Sequence, residues 1–148
     1  MKIYERLMFM KRKIKAAAAI AAALVLAAVL CGCGKSAAEY TITVKGSAQE
    51  SGVIEYAGLE MNVYQDQASN PCGDCPDQPV SIYVGTSADD TAKSMSEAVT
   101  RADDVWEVES CRGGVLKLKE KEDSAGTNEK EPELSAPKGL TLTGDFSR

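Results

Sequence analysis

Between residues 40 and 119, apolar and polar positions alternate in two distinct rhythms. In "YTITVKG", Tyr40, Ile42 and Val44 share one phase while Thr41, Thr43 and Lys45 take the other. A period of two places successive side chains on opposite faces, so this segment predicts a half-buried strand. "SAQESG" at residues 47–52 reads as a turn. "VIEYAGLEMNVYQ" at 53–65 repeats the alternation, with Gly58 predicting a bulge or bend between two strand segments. "VSIYVG" at 80–85 predicts a third strand, with Val80, Ile82 and Val84 inward.

The rhythm then lengthens. Ala92, Met95, Val99, Ala102 and Trp106 recur at spacings of three and four, the apolar stripe of an amphipathic helix. Ser87 followed by Asp90 resembles a capping box, and Asp89 and Asp90 complement the positive end of the helix dipole. Lys93, Glu97 and Arg101, four apart, mark the solvent side. The helix is expected to end near Asp103 or Asp104. "VWEVESC" and "VLKLKEK" alternate again around Arg112-Gly113-Gly114, a hairpin turn. The order β-β-β-α-β-β predicts an α+β domain over 40–119, a mostly antiparallel sheet with one helix on one face. The passage through 80–111 is consistent with one right-handed parallel crossover.

Outside that window the pattern changes twice. Residues 16–30, "AAAAIAAALVLAAVL", are 15 consecutive uncharged positions preceded by the basic cluster "MKRKIK". As a helix this run rises about 22 Å, short of the roughly 30 Å hydrocarbon core of a bilayer. It has the anatomy of a secretory signal: charged n-region, apolar h-region, small-residue boundary. An uncleaved anchor is the alternative. Met10 is an alternative start that gives the signal ordinary proportions. Residues 120–148 are charged and rich in Pro, Gly and Ser without an apolar period, which predicts a disordered acidic tail. "LTLTGDF" at 140–146 alternates briefly but is assigned to the tail rather than to an edge strand.

Charge divides the chain at the same boundary. The first 32 residues carry six Lys/Arg and one acid, and the remainder has ten more acids than bases. An acidic body with few aromatics argues against nucleic acid, whose phosphates require a basic surface. It also lacks the polybasic patch needed to adhere to anionic lipid, so attachment to a membrane requires a hydrophobic or covalent anchor. Aromatics are 5% of the chain, which predicts a small aliphatic core. The chain has no histidine. Every His-dependent triad and every His-containing zinc site is thereby excluded.

The segment "LCGC", Leu30 to Cys33, resembles the lipobox of bacterial lipoproteins. With Cys33 as the modified residue, Leu30 falls three places before it, Cys31 two and Gly32 one. Cys31 departs from the usual Ala, Ser or Thr but is small. With Cys31 as the modified residue, bulky Leu30 would stand at the cleavage position. The resemblance covers about residues 10–34. It implies a signal peptide over 1–32, a diacylglyceryl thioether on Cys33, and a tether over 33–39. The protein would then be exported and held at the cell membrane, facing away from the cytoplasm. Two acyl chains suffice for stable anchoring.

Cys72, Cys75 and Cys111 remain. In an exported protein they are candidates for a disulfide: Cys72 to Cys75, or either to Cys111. A Cys₃Asp metal site with Asp74 or Asp77 is a second reading, and C-x-x-C redox chemistry a third. Against the third, Asp74 and Asp77 disfavour a thiolate, and the motif leads into a strand rather than a helix. Tyr56, Tyr64 and Tyr83 suit half-buried strand positions. No cofactor is implied. The sequence therefore points to a non-enzymatic binding or accessory module with an envelope protein as the candidate partner. A cysteine-dependent redox or metal-handling lipoprotein and a structural envelope lipoprotein are the alternatives.

Overall fold

The computed structural model describes residues 36–72 and 78–148. The signal segment, Cys31, Cys33, Asp74, Cys75 and Asp77 lie outside the described residues. The body from Lys35 to Arg148 forms one unit. Its strands are β1 (Glu39–Gly46), β2 (Gly52–Tyr56), β3 (Leu59–Tyr64), β4 (Ser81–Tyr83), β5 (Trp106–Arg112), β6 (Val115–Glu120) and β7 (Leu140–Ser147). One helix, α1 (Ala88–Ala102), stands between β4 and β5. The fold is α+β, with mostly antiparallel pairing and one helix.

The strands divide between two sheets, in the orders β5-β6-β1-β7 and β2-β3-β4. β1 is therefore central in the larger sheet and does not pair with β2, its neighbour in sequence. Both sheets and α1 surround a single continuous core. Tyr40, Ile42 and Val44 of β1 meet Leu116 and Leu118 of β6 on the buried face. Ile54 and Tyr56 of β2 and Met61 and Val63 of β3 contribute from the smaller sheet, and Met95 and Val99 from α1.

The low aromatic content does not make the core aliphatic. Trp106, Tyr40 and Tyr56 are the largest fully buried side chains. Tyr40 packs against Trp106 and Phe146 with ring centroids 6.0 and 6.1 Å apart, geometries that add to plain area burial.

Local chemistry explains each turn. The bend expected at Gly58 is a two-residue hairpin: Ala57 and Gly58 have φ of 50° and 81°, and Tyr56 pairs with Leu59. Positive φ at both central positions gives a turn whose twist matches the flanking strands. Gly113 and Gly114 do the same between β5 and β6, at φ of 60° and 74°. α1 begins at Ser87, whose Oγ accepts from the Asp90 amide at 3.2 Å and donates to its carboxylate at 2.7 Å. Asp89 accepts from the Gly114 amide at 3.2 Å, tying the helix start to the β5–β6 turn. The helix ends as Asp103 turns to extended backbone.

Three expectations change. The parallel pair is β3 with β4, joined through residues 65–80, whereas the strands flanking α1 lie in different sheets. β5 contains a bulge between Val108 and Ser110. Strict alternation would place Cys111 with Glu107 and Glu109, and the extra residue returns it to the core side. Most important, residues 120–148 are not a disordered tail. Leu140–Ser147 form β7, antiparallel to β1 along its whole length from Glu39↔Ser147 to Gly46↔Leu140.

Candidate functional site

The C-terminal segment is ordered by one carboxylate. Glu120 closes β6 in the same phase as Leu116 and Leu118, so alternation directs it inward, and it is 0% exposed. Its Oε2 accepts from the amides of Ala38 at 3.1 Å and Gly126 at 3.0 Å. Its Oε1 accepts from the amides of Thr127 and Asn128 and from both of their side chains, at 3.1 to 3.2 Å. Burial opposes ionisation here, but the amides of Gly126, Ala38 and Asn128 and the Thr127 hydroxyl outweigh it. They hold the carboxyl at about 2, below its ordinary 4.5.

From this hub the chain runs across the smaller sheet. The Tyr40 hydroxyl donates to the Pro132 carbonyl at 3.2 Å. Ser135 and Glu55 exchange two backbone hydrogen bonds at 3.0 and 3.1 Å, which covers the β2 edge. Pro137 rests on Gly52, and Gly139, at φ 90°, turns the chain into β7. Gly144 leaves room for the Glu131 carboxylate and the Tyr40 ring: a Cβ there would run into Glu131 first and stand 2.8 Å from the Tyr40 hydroxyl.

Two clefts result. The first, about 330 Å³, lies between α1, the start of β3 and the segment before β4. Leu59, Val80, Ala98 and Ala102 form its apolar floor, and Glu60 and Arg101 its charged rim. Its floor was only partly legible in the sequence: the i, i+4 spacing of Ala98 and Ala102 leaves a shallow stretch of helix, but Leu59 and Val80 arrive from other elements. Arg101 is paired with Glu97 one turn earlier. A polar surface holding Ser81, Tyr83 and Ser94 adjoins it.

The second cleft, about 390 Å³, lies between the β2–β3 turn and the C-terminal segment. Glu55, Glu60, Glu133 and Lys130 are among its lining residues. Glu55 and Glu60 are direct cross-strand neighbours, a like-charge pair that only solvent exposure makes tolerable. Among the described residues, no group of three His, Cys, Asp or Glu is placed to hold a metal ion.

The cysteines separate. Cys111 is a half-buried free thiol on β5, so it is not half of a Cys72–Cys111 bridge. Burial and then the Asp89 charge push its pKa up, which disfavours the thiolate. Cys72 is not free. Its amide donates to Asn70 Oδ1 at 3.1 Å, within a loop that Asp66 and Ser69 cap reciprocally. The three tyrosines also differ. Tyr56 is fully buried and donates to the Met95 carbonyl of α1 at 3.1 Å, whereas Tyr64 and Tyr83 are half-buried. Burial, and then the Asp103 charge, raise the Tyr56 pKa, so its hydroxyl stays a donor.

The predicted anchor residues Leu30, Cys31, Gly32 and Cys33 are all outside the described residues. Among those described, no helix is long and apolar enough to cross a membrane. No protein-family model, curated protein or solved structure matches the chain.

Proposed function

We propose that this protein is a bacterial lipoprotein, anchored through a diacylglyceryl group on Cys33, that displays a non-enzymatic binding or accessory module outside the cytoplasm. The observation that carries the reading is the ordered succession of basic cluster, apolar run and Leu30-Cys31-Gly32-Cys33. The acidic body supports it indirectly. With ten excess acids beyond residue 32, attachment to an anionic bilayer needs a covalent anchor rather than surface charge.

The binding surface in this reading is the cleft floored by Leu59, Val80, Ala98 and Ala102. Its volume is at the lower end of small-ligand sites. An apolar floor with one acid and one base at the rim suits a short amphipathic segment of an envelope partner better than a compact polar substrate.

Replacing the anchor residue tests the reading. Cys33→Ala should abolish incorporation of labelled fatty acid and release the protein from the membrane fraction. Cys31→Ser should leave both unchanged. Persistent membrane association of Cys33→Ala would contradict lipid anchoring.

The competing reading, a cysteine-dependent redox or metal-handling lipoprotein, rests on Cys72-Gly73-Asp74-Cys75. It is favoured if the purified chain retains stoichiometric zinc. In the preferred reading Cys72 and Cys75 form a structural disulfide, the chain carries no zinc, and one thiol, Cys111, titrates in denaturant.

A further inference from the structure

The four outer edges of the two sheets are treated very differently. β2 is covered by the two backbone bonds between Glu55 and Ser135. β4 is three residues long, and its Tyr83 amide is taken by the Thr86 hydroxyl at 3.3 Å. β5 is broken by the bulge between Val108 and Ser110 and carries Glu107 and Glu109. Short length, cover, bulges and charge are the devices that keep sheet edges from pairing. β7 is the least protected of the four. It is eight residues long, has no proline, lysine or bulge, and holds one charged residue, Asp145.

The register shows which backbone groups are free. Ser47 donates to the Gly139 carbonyl in the β1–β7 register, so odd-numbered β7 residues face β1. The N–H and C=O groups of Leu142, Gly144 and Phe146 therefore point away from the sheet. Among the described residues none of them has a hydrogen-bond partner beyond β1, and Gly144 itself is exposed.

We propose that β7 pairs with β7 of a second copy of this chain, antiparallel about a two-fold axis at Gly144, joining two four-stranded sheets into one of eight. The sequence around that axis is self-complementary: Leu142-Thr143-Gly144-Asp145-Phe146 reads apolar, polar, glycine, polar, apolar from either end. Gly144 faces its own counterpart. Leu142 faces Phe146 of the partner subunit, so each half-buried apolar side chain at the rim gains an apolar neighbour. Thr143 faces the partner's Asp145, so no strand residue sets an acid against an acid, while the Glu131 carboxylate lies over Gly144 beside the axis. All three outward-pointing residues take hydrogen-bonded positions at once. The interface is isologous and closed, with no edge left on the β7 side. This goes beyond lipid anchoring and does not depend on it.

Sedimentation equilibrium of the full chain in density-matched non-ionic detergent tests the pairing, with two exposed variants as controls. The wild type should show a concentration-dependent dimer. Thr143→Glu sets a carboxylate against Asp145 twice per dimer and should weaken association about two- to thirty-fold. Thr143→Lys places a cation opposite the same residue and should match or strengthen wild-type association. Amide protection at Leu142, Gly144 and Phe146 should rise with protein concentration. A monomer at every concentration would overturn the proposal. So would a dimer equally indifferent to both substitutions, or edge protection that appears only when a different protein is added.

Discussion

Glu120 shows how much order one residue can impose. Six hydrogen bonds converge on a fully buried carboxylate, and they join β6, the residue preceding β1, and the turn that starts the C-terminal segment. Hydrogen bonds to a charged group contribute about 1.5–3 kcal/mol each before non-additivity, so this cluster outweighs any exposed ion pair. Glu120→Gln is not conservative here. Donors face both carboxylate oxygens, and an amide nitrogen in either place would oppose an N–H. We expect a loss of about 2–4 kcal/mol, measured by denaturant unfolding at neutral pH. Because the folded-state value, about 2, lies below the ordinary 4.5, the carboxylate's contribution is complete above pH 4.5. It is lost as the pH falls through 2. The wild type should lose stability across that window, and Glu120→Gln should lose less. Equal acid sensitivity in the two proteins would remove Glu120 from this role. The signal for it was present in the sequence, as an acid in the apolar phase of "VLKLKE", but alternation alone does not reveal what an inward charge will meet.

At the scale of elements, legibility followed the range of the interactions. The helix is set by neighbours within one turn: the Ser87 cap, the apolar stripe of Ala92, Met95 and Val99, and the Lys93 and Arg101 ion pairs with Asp89 and Glu97. The two hairpins are set by Ala57-Gly58 and Gly113-Gly114. All of these were readable from sequence, the first hairpin as a bend. The division into two sheets was not, because β1 takes partners from β6 and β7 and none from β2. The C-terminal strand reads as tail in the sequence although "LTLTGDF" alternates, because it is terminal and follows an aperiodic charged stretch. Its order comes from the Glu120 hub, the Ser135–Glu55 bridge and the Tyr40 hydroxyl, long-range contacts that leave no period in residues 120–139. A structural strand has a different consequence from a tail when removed. Deleting residues 140–148 would expose one whole edge of β1 and uncover Tyr40, with which Phe146 packs edge-on. Such a truncation should lower the melting temperature by more than about 10 °C or prevent folding. An unchanged thermal transition would mean that β7 contributes nothing.

For the whole molecule, sequence and fold carry different parts of the account. The proposed anchor rests on residues 10–34 alone, where charge and hydropathy are strongly patterned. The candidate cleft could not be read that way, since Leu59, Val80, Ala98 and Ala102 converge only through packing of α1 against the smaller sheet. Cys72, Cys75 and Cys111 are likewise three equivalent letters in the sequence. Only the fold separates a free, half-buried Cys111 from Cys72. The proposed anchor requires Cys33 to become the lipid-bearing first residue of the mature protein. Mass spectrometry of the protein purified from membranes is the decisive check. The expected N-terminal peptide begins at Cys33 and carries a diacylglyceryl mass. An unmodified Cys33, or a peptide extending upstream through Leu30, would contradict the proposed anchor.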